Sequence, residues 1–244
     1  MLTGTTTLRF IDRELRRIEL SVRGVTQYYP LNPIPDDLYE GMASNVDVEG
    51  TSFEKLQTIY RSTVQKPNFT TFNFENPFPV NCATKSIRLT LTDTEIDKTV
   101  DDLEGQLLAL QGMPFEDTVE ERIQMYRNTF IDDSKIDRLR LGALEIYGDN
   151  TYRNVQRDPR VSLGLYWRDQ ATGMTRSYQV NAIAEIIEPG TPFFKYMRVL
   201  RSLFSSRFVE TRRGEYVAAY KLWLSEYHDK SLESQTGFVP GTSN

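Results

Sequence analysis

The chain has 244 residues, 39% of them hydrophobic and 26% charged, with a formal net charge of −5. That is enough apolar material for one large or two small folded units and too much for a disordered chain. The mild acidity argues against a dedicated nucleic-acid binder, though a local basic face stays open; one cysteine, Cys82, and one histidine, His228, exclude an internal disulfide framework and a Cys/His zinc site.

Residues 5–30 read as a β-hairpin, because Ile18, Leu20 and Val22 alternate with Arg17, Glu19 and Ser21. Pro30, Pro33 and Pro35 then fix φ and remove backbone donors, so no regular helix or central strand crosses them. A short helix is expected over 52–64, with Phe53, Leu56, Ile59 and Tyr60 on one face. The run PNFTTFNFENPFPV sets Phe69, Phe72, Phe74 and Phe78 among Asn, Thr and Pro. It reads either as a strand and loop whose aromatics plug a core or as an exposed docking arm. Cys82, just after it, reads as a small buried side chain.

SIRLTLT (86–92) alternates as a strand. Thr92 with Glu95, and Thr118 with Glu121, stand at capping-box spacing before two apolar-striped segments. These predict a helical hairpin over 94–130. Residues 135–147 fit helix or strand. Strands are expected at 161–167 and 176–187, joined by the turn-rich 169–173. A helix follows Pro192, and a last helix is expected over 214–228 on the spacing of Tyr216, Tyr220, Trp223, Leu224 and Tyr227. His228 reads as a surface residue and the tail beyond it as mobile. The expected class is α+β: antiparallel hairpins, a central helical hairpin and a helical C-terminal end. One domain over 1–244 is expected, divisible into an N-terminal β region over 1–92, the hairpin 94–130, an α+β region over 135–230 and the tail 231–244.

No Gly-rich phosphate loop is present. Asp36-Asp37, Asp101-Asp102 and Asp132-Asp133 read as solvated loops and helix starts, not as metal ligands. The basic stretch 195–213, with Arg198 and Arg201, suits an acidic partner surface. There is no membrane-spanning apolar run and no secretory signal at the N-terminus.

The segment 147–188 contains Asn154-Val155-Gln156-Arg157-Asp158-Pro159-Arg160-Val161-Ser162-Leu163. It resembles the FMN-binding split-barrel flavoproteins related to pyridoxamine-phosphate oxidase, where a short helix ends at a DPR-type turn and feeds a barrel strand. The resemblance implies a flavin phosphate near the start of that helix. At the places of the family's phosphate-neutralising basic residues this chain has Asn150 and Thr151, which leaves Arg153 as the substitute. Each missing cation removes charge-assisted hydrogen bonds worth roughly 1.5–3 kcal/mol. A competing reading of 137–152 sees a helix capped at Gly148, loosely resembling the LysM-like segment of phage baseplate wedge proteins.

The leading expectation is therefore a non-catalytic structural or assembly subunit, such as a phage-tail or virion component. It would carry no cofactor and no metal, and would be cytoplasmic or virion-associated. Its partners would be other protein subunits, a second copy included, through Phe72, Phe74, Phe78, Arg198 and Arg201. The alternative is an FMN-binding split-barrel oxidoreductase or flavin-binding module that uses Asn150, Thr151 and Arg153.

Overall fold

The structure, a computed structural model, describes residues 5–43, 54, 65–168, 173–203 and 216–231. The helix expected over 52–64 lies outside the described residues apart from Glu54, as does most of the tail. Among the described residues the class is α+β, with a three-stranded and a seven-stranded antiparallel sheet.

The N-terminal sheet is β1 (Thr6–Asp12), β2 (Arg17–Val22) and β3 (Val25–Pro30), in that order. It is one strand larger than the expected hairpin. Arg23 and Gly24, at φ 53° and 82°, supply the two left-handed residues of a tight hairpin turn that matches strand twist. Ile18 and Leu20 of β2 pack with Leu31 on Leu139, Ile183 and Trp223, so this sheet lies against the outside of the larger one.

The larger sheet comprises β4 (Asn68–Phe72), β5 (Val80–Thr84), β6 (Ile87–Leu91), β7 (Ile136–Glu145), β8 (Arg160–Arg168), β9 (Thr175–Ile187) and β10 (Ala218–Asp229). Its order is β5-β4-β8-β9-β10-β7-β6. The edge strands β5 and β6 are joined by Lys85 and Ser86 alone. Thr84 and Ile87 can be no more than about 11 Å apart across that link. In a flat sheet the two edges would lie six strand spacings apart, about 29 Å. The sheet must therefore curl until its edges meet without pairing, leaving an open seam at Lys85-Ser86. Val161, Leu163 and Leu165 of β8, Tyr178, Val180 and Ala182 of β9, and Tyr220, Leu222 and Leu224 of β10 fill the interior.

Among the described residues five α-helices surround the sheet: α1 (Asp36–Ala43), α2 (Asp93–Ala109), α3 (Val119–Phe130), α4 (Asn150–Arg157) and α5 (Pro192–Leu203). The Thr92 side chain accepts from the Glu95 amide, as the capping box predicts. Thr118 makes no such cap; its hydroxyl instead accepts from Arg122 Nε at 2.9 Å. α2 packs on α5, where Lys195 reaches Asp101 at 2.9 Å and Glu104 at 3.1 Å, and Arg198 also pairs with Glu104. No helix among the described residues is long and apolar enough to cross a membrane.

The helix expected over 214–228 is corrected: Ala218–Asp229 is strand β10, hydrogen-bonded between β9 and β7. A central strand covered on both faces loses its alternation, and its aromatics then fall at helix-like intervals. Residues 136–145 are strand β7, which removes the helix of the competing 137–152 reading. Gly148, at φ 69°, follows a strand and caps no helix.

Candidate functional site

The seam opens beside a cavity of about 440 Å³. Four cations from separate stretches line it: Lys66 just before β4, Lys85 on the link, Arg88 on β6 and Arg201 on α5. Among the described residues, Glu145 and Asp149 are the acids of the lining. Every residue of β6 is buried, so Arg88 has little solvent; its guanidinium donates to the Ile87 carbonyl at 2.8 Å. Arg201 donates to the Ser86 hydroxyl at 3.1 Å, tying α5 to the link. Burial, then the nearby Arg88 and Arg201, hold the Lys66 ammonium below its ordinary range. Like charges gathered in a partly desolvated place are costly by themselves, and an anion relieves that cost.

Lys85 is engaged differently. Its ammonium lies 2.6 Å from Glu145 Oε2, which also accepts from the Tyr220 hydroxyl at 2.8 Å. Glu145 Oε1 accepts from the backbone amides of Tyr147 and Gly148 at 3.1 and 3.2 Å. Burial alone would push the Glu145 carboxyl up, but Lys85 and these hydrogen bonds outweigh it and hold the carboxyl below the usual range. One buried carboxylate thus fixes both a cavity cation and the chain entering α4.

The start of α4 adds Asn150 and Thr151 to the lining. Its first amides have no partner within the helix, and its dipole favours an anion there. Asn81 of β5 donates to Thr151 Oγ1 at 3.1 Å, and Asn154 donates to Thr71 Oγ1 at 3.1 Å, which seats the helix on β4 and β5.

Of the residues proposed from sequence, Asn150 and Thr151 therefore meet at the cavity, and so does Arg201. Arg153 does not. At about 100° per residue it points some 200° away from the buried Thr151, into solvent. Phe72 is partly buried, whereas Phe74 and Phe78 at the β4–β5 hairpin tip are 71% and 87% exposed. Arg198 pairs with Glu104 of the same chain. Cys82 is exposed on edge strand β5 instead of buried, because its side chain falls on the outward register of that strand. His228 is partly buried, with Nε2 3.9 Å from Glu226 and 3.5 Å from Asn181 Nδ2. Lys66, Lys85, Arg88 and Glu145 are missing from the sequence-derived set. Their one local signal is the basic pair Lys85 and Arg88 flanking the start of SIRLTLT.

No protein-family model and no curated protein matches the sequence. Among solved structures, the chain is similar to an FMN-binding protein from Syntrophomonas wolfei subsp. wolfei, at TM-score 0.41 and 9% identity, covering 81% of this chain and 89% of that one. It is similar to HutZ, the heme storage protein from Vibrio cholerae, at TM-score 0.36 and 10% identity, covering 71% and 87%. It is also similar to HupZ of Group A Streptococcus, at TM-score 0.38 and 11% identity, covering 72% and 90%. The weak resemblance of 147–188 to split-barrel proteins stands with these neighbours. They are named for FMN and heme and not for virions, and that corrects the expectation of a cofactor-free phage-tail or virion subunit. Basic residues absent from the start of α4 line the cavity from elsewhere in the chain.

A second cleft, of about 660 Å³, separates β1 from the outer face of the large sheet. Of its charged side chains, Arg13, Asp93 and Lys221 have charged partners inside the protein, and Glu185 has a hydrogen bond. Arg13 pairs with Asp137 at 2.8 Å, Lys221 with Asp93 at 3.0 Å, and Glu185 accepts from Trp223 Nε1 at 2.8 Å. Arg13 thereby ties the N-terminal sheet to β7, whereas the described lining of the seam cavity holds four cations and two acids.

Proposed function

We propose that the chain is a flavin-binding module whose seam cavity holds the phosphate of FMN. The observation that carries this reading is the convergence of Lys66, Arg88 and Arg201 on one cavity, beside the N-terminus of α4. Guanidinium pairs suit phosphate oxygens, which they meet as planar forks. The rest of the donor set also fits, with Ser86, Thr84 and Thr151 hydroxyls and the Asn81 amide lining the same space. Its size falls in the range of ordinary small-molecule sites. A bound flavin supplies hydride or electron transfer. The residues of this chain bind its phosphate, seat its polyol chain and limit water around it.

Titration of the full chain with FMN and with riboflavin, followed by flavin fluorescence, tests this. FMN is expected to bind and riboflavin to bind at least tenfold more weakly, because it lacks the charge-assisted contacts. Arg201→Ala is expected to weaken FMN by about 10- to 100-fold, from roughly 1.5–3 kcal/mol per lost contact. Equal affinity for FMN and riboflavin, or binding of haemin in preference to FMN, overturns the reading.

A further inference from the structure

Tyr147 is unusual among the residues that line the seam cavity, being a large aromatic left 58% exposed beside it. Its backbone is not loose. The Tyr147 and Gly148 amides both donate to Glu145, the carboxylate that also holds Lys85. Gly148 takes φ 69°, and a side chain there would come within 3.3 Å of Val217, so the turn is pressed against the lead-in to β10. The ring therefore sits on a rigid base while much of its surface stays wet. The lining also includes the apolar Leu144, Ile146 and Met197, so the cavity offers an apolar surface as well as cations.

We infer that Tyr147 is a specificity-determining residue of this site: its ring is the face on which the planar aromatic part of the ligand stacks. The inference rests on the flavin reading above and names what recognises the end of the ligand remote from its phosphate. An exposed aromatic on a fixed backbone loses little conformational freedom on binding and gains both area and ring–ring contact. Stacking on tyrosine also quenches flavin emission, which gives a signal separate from affinity.

The test uses the full chain with two probes, FMN and inorganic phosphate, and two variants, Tyr147→Ala and Tyr147→Phe. Tyr147→Ala is expected to weaken FMN roughly three- to tenfold, the worth of one aromatic pair. It should also leave bound FMN brighter than in the wild type, with phosphate affinity unchanged. Tyr147→Phe is expected to keep FMN affinity within about twofold, because the ring and not the hydroxyl makes the contact. Wild-type FMN affinity and quenching in Tyr147→Ala overturns the inference and leaves the flavin reading standing. So does equal loss of FMN and phosphate, which marks a merely structural role. A wild type that binds neither probe overturns both.

Discussion

Lys66 is the residue at which the charge of the site can be tuned by pH. Burial and its two arginine neighbours favour its neutral form, so it loses its proton below the ordinary lysine value of 10.5. The sign follows directly. In the folded protein the depressed value is an unfavourable contribution wherever Lys66 is charged, and a bound anion offsets it. Affinity for a phosphate monoester is therefore expected to rise as the ligand takes its second charge near pH ~6. It is expected to fall again as pH climbs through the lowered Lys66 value, before 10.5 is reached. Calorimetry in buffers of different ionisation enthalpy checks this: on the alkaline side, binding should take up a proton. Lys66→Met should abolish that uptake and flatten the alkaline limb. An alkaline limb unchanged in Lys66→Met contradicts the assignment. Glu145 carries the opposite sign. Its lowered value stabilises the fold above the ordinary carboxyl value of 4.5, and that contribution is lost as acid protonates it.

At the scale of elements, α1 shows how closely the barrel is packed. A Cβ on Gly41 would lie 2.8 Å from the indole of Trp167, a side chain that stacks on Tyr178. Gly41→Ala has opposing effects. Helix propensity favours alanine by about 0.5–1 kcal/mol, while overpacking against a rigid ring costs about 1–3 kcal/mol. The net expectation is destabilisation by roughly 1–2 kcal/mol, read from urea unfolding. An unchanged or raised midpoint contradicts this packing. The same scale separates what periodicity reveals from what it hides. Val161, Leu163 and Leu165 alternate with solvent-facing positions, and β8 is where that alternation puts it. Thr92 and Glu95 mark the start of α2. Tyr220, Trp223 and Leu224 mislead because β10 has neighbours on both sides and cover on both faces, so its burial no longer alternates. Of the cavity, Asn150 and Thr151 were legible as ligand residues, and Arg201 only as part of a basic stretch. Lys66, Lys85, Arg88 and Arg201 come together through the curl of the sheet, and no local spacing encodes that.

For the molecule as a whole, one topological fact organises both fold and site. Strands at opposite edges of a seven-stranded sheet are joined by Lys85 and Ser86, so the sheet closes around its core and leaves its seam where these two residues sit. The outer sheet is tied on through Arg13, at the edge of an ion network that is buried at Arg140 and Asp137. In it, Arg140 has no exposed surface and meets Asp137 at 3.2 Å and Asp93 at 2.8 Å, and Arg13 and Lys221 complete the pairs. That network holds its charges among themselves, while four cations of the described residues meet at the seam cavity. The most direct test is a crystal structure of the full chain with FMN. The phosphate is expected among Lys66, Arg88 and Arg201 at the start of α4, with the flavin ring against Tyr147. FMN bound elsewhere, in the cleft beside β1 for example, or a seam cavity left empty at saturating FMN, would contradict a phosphate site at the seam.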